Sequence, residues 1–166
     1  MAELTNLETK LGEVLGLAMA AQGATEKVKK LVDEEDDHEE LARALEKMHD
    51  EARETEERCT DVAGDLDGKK TAILEKARET KGEATDMMST YLGDDAEGLD
   101  GFEFLTMAEA GEVGHWQIVR VLADRGGKQA VRMLAEWAEP IQQRHLDHAL
   151  RGSLSLAEAE DPNGTA

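Results

Sequence analysis

Apolar residues recur along this chain at alternating spacings of three and four, the mark of helices that each bury one face. The first segment, from about Leu4 to Val32, carries Leu4, Leu7, Leu11, Val14, Ala18, Ala21, Thr25, Val28 and Val32. Thr5 followed by Glu8 has the form of a capping box at its start. The second, His38 to Asp65, repeats the stripe with Leu41, Leu45, Met48, Ala52, Thr55, Cys59 and Val62. Between them, Asp33 to Glu40 is acidic apart from His38 and reads as a solvated turn. The third segment, Lys70 to Leu92, has a thinner stripe and reads as part-exposed.

A loop rich in Gly and Asp, Gly93 to Gly101, leads to the fourth segment, Phe102 to Asp124. Apolar over much of its circumference, that segment is expected to be the most buried helix. Arg125-Gly126-Gly127 supplies a C-cap and a tight turn, so the fifth helix, Lys128 to Leu154, returns antiparallel beside the fourth. Pro140 is expected to kink it near Glu136. The pattern predicts an all-α fold, a four-helix bundle with one additional helix. It places one domain at 1–157 and a disordered tail at 158–166.

Charge narrows the function classes. With 38 acidic against 19 basic residues the formal net charge is −19, which repels nucleic acid and anionic membranes alike. Such acidity fits a salt-adapted source as well as an ordinary acidic protein. No apolar run is long enough to span a membrane, and the N-terminus lacks the pattern of a secretory signal, so a cytoplasmic protein is expected. The single cysteine, Cys59, reads as a small core residue. The apolar surplus on helices three and four points to a homodimer.

Two stripes contain residues that do not belong in a core. The fourth reads Leu105, Ala108, Glu112, His115, Val119, Leu122, and the fifth Val131, Leu134, Ala138, Ile141, His145, His148. Buried carboxylates and imidazoles need a hydrogen-bond partner, a metal or a wet cavity. If the hairpin turns near Gly126, Glu112 lies level with Gln142, Glu109 with Arg144, and His145 opposite Ala108. Gln22 and His49 would then close the cluster from the first two helices.

Glu-x-x-His on one helix face can present an oxygen and a nitrogen to one iron or manganese ion. Candidate metal ligands are therefore Glu109, Glu112, His115 and His145, with His49 and His148 as further candidates. The same residues could instead form a buried hydrogen-bonded cluster, or line a subunit interface, with no metal at all. A divalent-metal enzyme built on His49, His145 and His148 is a third reading. Nucleophilic catalysis lacks a candidate, and no glycine loop cradles phosphate.

These residues also carry a resemblance. The chain resembles the ferritin-like superfamily, most closely the YciF/YciE-type ferritin-like stress proteins, from about Leu7 to Leu150. His115-Trp116-Gln117 stands where that family has a His–aromatic–Glu step. Gln142-Gln143-Arg144-His145-Leu146-Asp147-His148-Ala149-Leu150 stands where it has an acidic cluster ahead of an Asp-x-x-Leu step. His49 falls where it carries a histidine. The resemblance implies two long hairpins joined by a shorter helix. The iron-binding carboxylates it implies map to about Gln22, Gln117 and Gln142 or Gln143, and a neutral amide offsets no metal charge. A stress-associated, ferritin-like bundle with a vestigial or altered metal site is the leading expectation. A non-catalytic structural or interaction protein is the alternative.

Overall fold

The computed structural model describes residues 2–33 and 38–165; most of the predicted acidic turn, 34–37, lies outside the described residues. The chain is all-α, with five helices: α1 (Asn6–Asp33), α2 (Glu39–Asp65), α3 (Lys70–Tyr91), α4 (Gly98–Gly126) and α5 (Gln129–Ala159). The capping box at the start of α1 is reciprocal. The Thr5 N–H donates to Glu8 Oε2 at 2.8 Å, and the Glu8 N–H to Thr5 Oγ1 at 3.3 Å. Gly127, at φ 63°, closes α4 in the left-handed conformation and turns the chain into α5.

Two helices are longer than their stripes. α4 starts at Gly98 rather than Phe102 because Glu97 and Asp100 form a capping box. Gly101 is there for packing: a Cβ would lie 2.9 Å from Val28. α5 continues through Pro140 as one element and through Gly152, where a Cβ would lie 2.2 Å from the Phe102 ring. It ends at Ala159, just past the expected domain limit at 157.

α1 and α2 form one hairpin and α4 and α5 another, and the two pack as a bundle in the cyclic order α1, α2, α5, α4. α3 lies outside this bundle on α1, running parallel to it: Gly12 meets Ile73 and Lys76, and Gly16 meets Ala77 and Thr80. Glycines at 12 and 16 let the two backbones approach closely, which is how so thin a stripe stays attached. α3 thereby carries the chain back along the bundle before α4 begins.

The core is divided. One apolar cluster gathers Leu11, Leu15, Ile73, Trp116, Val119 and Val131 near the α4–α5 turn. The other gathers Val28, Leu45, Met48, Phe102, Leu105 and Leu156 at the opposite end. Glu109, Glu112, Gln142 and His145 are buried between them. The bundle thus has a polar waist.

The buried face of α4 differs from the expected one. It runs Phe102, Leu105, Glu109, Glu112, Trp116, Val119, Ala123, so Glu109 and Trp116 face inward where Ala108 and His115 were expected. Trp116 offers far more apolar area than an imidazole, and that preference sets the rotation of the helix. On α5 the inward positions are Gln142, His145 and Ala149, and His148 is only half-buried.

Candidate functional site

Helical spacing brings the waist together. Glu109 and Glu112 lie one turn apart on α4, while Gln142 and His145 lie one turn apart on α5. α2 contributes Glu51, beside the inward Met48, Ala52 and Thr55. His145 Nε2 lies 2.8 Å from Glu51 Oε2, and its Nδ1 faces Glu109 Oε2 at 3.7 Å. The Gln142 amide donates to that same Glu109 oxygen. Arg144 Nη2 donates to both Glu51 oxygens, at 3.1 and 3.0 Å. The result is a continuous polar relay across three helices.

Electrostatics fit that pairing. Burial pushes His145 towards the neutral form, but the hydrogen bonds and charges of Glu109 and Glu51 more than offset it, so its pKa is raised. An imidazolium can donate from both ring nitrogens, which the two facing carboxylates require. Burial raises Glu51 as well, but the opposing partners His145 and Arg144 leave its pKa lowered. Glu112 is different. Burial, and then the charge of Glu109, hold its pKa well above the usual carboxylate range. No described residue gives it a hydrogen bond.

The other sequence candidates stand apart. His115 Nδ1 donates to the Gly111 carbonyl at 2.8 Å, and its Nε2 lies 3.7 Å from Glu13 on α1. More than a third of its side chain is exposed, so it borders the waist without joining the relay. His49 lies 3.0 Å from Glu26 and 3.5 Å from Asp50, on the α1–α2 side. His148 stacks its polarity against Arg151, 3.4 Å away, and burial followed by that guanidinium lowers its pKa. Gln22 donates to Glu56 at 2.5 Å. Cys59 is fully buried, and burial with the nearby Glu56 and Glu112 raises its thiol pKa, keeping it protonated and inert.

Among the described residues no group of three or more His, Cys, Asp or Glu side chains is arranged to hold a metal ion. The donor chemistry gives the reason. Both His145 nitrogens are directed at carboxylates, and the shared Glu109 oxygen already accepts from Gln142. The residues present therefore do not fit a resident iron or manganese ion.

Sequence reasoning found Glu109, Glu112, Gln142 and His145 but missed the parts played by Glu51 and Arg144. Glu51 sits one position off the apolar stripe of α2, as His49 does, and nothing in the spacing favours one over the other. No helix among the described residues is long and apolar enough to cross a membrane. Comparison with protein families, with characterised proteins and with solved structures finds no match for this chain.

Proposed function

We propose that the chain is a non-catalytic helical-bundle module, a structural or interaction protein whose buried relay fixes the register of α2, α4 and α5. The pairing of both His145 nitrogens with carboxylates from two other helices supports this reading above all. Sliding any of the three helices by a turn would strand at least one buried charge, a penalty of several kcal/mol that apolar packing alone does not impose. Exposed Ile118 and Val121 on α4 support the further reading that the module works as a homodimer.

A second reading keeps the ferritin-like, stress-associated protein with an altered metal site. It is favoured by one observation, the two hairpins joined by a helix that returns along α1. The readings part on metal content. Protein purified without a histidine tag is analysed for iron and manganese, then melted with each ion and with a chelator. The interaction module is expected to carry no stoichiometric metal and to melt unchanged. One or two ions per chain, lost in Glu109→Gln together with a shift in melting temperature, would overturn it in favour of the ferritin-like reading. The enzyme built on His49, His145 and His148 draws no support, because those three side chains have separate partners.

A further inference from the structure

Beside the waist, α1, α3 and α4 enclose a cavity of about 310 Å³. Its walls are apolar, with Leu17 and Ala24 from α1, Met88 from α3, and Phe104 and Leu105 from α4. Met87 and Met107 line it too, yet both are at least half exposed, so flexible thioethers form its lips. Glu109, Glu112, His115 and Thr85 are its polar lining, and among the described residues no lysine or arginine lines it. The volume is that of a small-molecule site, in which apolar walls and a few convergent polar groups set selectivity.

Glu112 supplies the second observation. It is 5 % exposed, it lines the cavity, and no described residue gives it a hydrogen bond. A carboxyl in such a position can ionise against a cation that enters the cavity. The chain's formal charge of −19 repels anions and draws cations towards this mouth.

We propose that this cavity binds a small hydrophobic amine, its apolar body between α1, α3 and α4 and its ammonium on Glu112. An amphipathic helix would need a longer open channel with several anchor pockets, whereas here the carboxyls of Glu109 and Glu112 lie one turn apart on the wall of a short apolar chamber. The proposed pairing is independent of the relay's hydrogen bonds: Glu109 borders both, but Glu112 takes no part in the bonds among Glu51, His145, Glu109 and Gln142. It therefore holds whether or not the relay is purely structural.

The test is calorimetric titration of the full chain, with chelator present, using n-octylamine, n-octanol and octanoate below their micelle-forming concentrations. n-Octylamine is expected to bind one per chain, at least about tenfold more tightly than n-octanol, the scale of a desolvated charge pair. Octanoate is expected not to bind. Glu112→Gln keeps the shape of the protonated acid but cannot ionise, so it should bring the amine down to the alcohol's affinity. Methyl signals of Met87, Met88 and Met107 should move on binding while that of Met133, on α5, stays in place. An amine no tighter than the alcohol, or a preference that survives in Glu112→Gln, would overturn the proposal. So would many amines per chain displaced by salt, which is adsorption to an acidic surface.

Discussion

Glu112 lies one turn along α4 from Glu109 on the same buried face, and the relay that satisfies Glu109 leaves Glu112 out. Glu109 faces His145 and Gln142, while Glu112, without such partners, lines the apolar cavity that both carboxyls border. Glu112 has a raised pKa, so the native chain keeps that proton to a higher pH than the unfolded chain does. Its effect is nil below the ordinary glutamate value and turns unfavourable as pH rises towards its native value. Glu112→Gln should therefore match wild type near pH 4 and become more stable by about 1–3 kcal/mol at about pH 8. Urea midpoints at the two pH values check this, and an equal gain at both would show that packing, not ionisation, is responsible.

His115→Leu is expected to be nearly silent. The side chain is more than a third exposed, its Nδ1 bond is to the carbonyl one turn back, and its contact with Glu13 is a 3.7 Å surface pair. Such pairs contribute about 0–1 kcal/mol, so the urea midpoint should move by no more than that. Had His115 been the inward partner of Glu112 that the sequence suggests, the loss would be several times larger.

The reason for that difference lies in α4 itself. A three-four stripe can be drawn through Ala108, Glu112, His115 and Val119, or through Glu109, Glu112, Trp116 and Val119, and the two share half their positions. Spacing alone cannot choose between faces so close in angle; burying Trp116 does. Helix number, hairpin order and nearly every boundary were legible because each helix repeats its apolar pattern over many turns. Glu51 was not, because a carboxylate at the edge of an acidic helix's stripe looks like any solvated one. It joins the relay only when α5 places His145 and Arg144 against it, a relationship between residues far apart in the chain.

Glycines offer a check on the packing. Gly152→Ala drives a methyl to 2.2 Å from the Phe102 ring, and Phe102 is itself buried, so neither side can yield cheaply. A loss of about 1–3 kcal/mol is expected, as for other overpacked cores. Gly23→Ala, on the exposed side of α1 with nothing within 4 Å, should instead gain about 0.5–1 kcal/mol from helix propensity. Thermal melts of both variants decide; a tolerated Gly152→Ala would mean that α4 and α5 sit further apart at this crossing than the Gly152–Phe102 contact requires.

The relay carries the largest expected effect and a pH signature of its own. His145→Ala leaves Glu109 with only the Gln142 amide and removes one of the three partners of Glu51, the others being Arg144 and Lys47. Breaking one member of a buried charge set costs about 3–5 kcal/mol, and the neighbouring Glu109→Gln change should restore part of that loss in the double variant. His145 has a raised pKa, so its contribution is full below the ordinary histidine value of about 6.5 and is lost as pH climbs through its native value. Glu51 has a lowered pKa and behaves in the opposite sense, contributing above the ordinary glutamate value of about 4.3 and failing as pH falls through its native value. Together they predict that the relay contributes most between about pH 5 and 6.5 and weakens on both sides, the separate loss from Glu112 adding to the wild-type profile above the ordinary glutamate value. In His145→Ala the alkaline loss should shrink to the part due to Glu112, and in His145→Ala/Glu112→Gln it should vanish. Urea midpoints across that range measure each limb separately. A Glu112→Gln profile flat from about pH 5 to 8 would show that the imidazole is not charged between its two carboxylates, and the relay would then be a neutral hydrogen-bond chain.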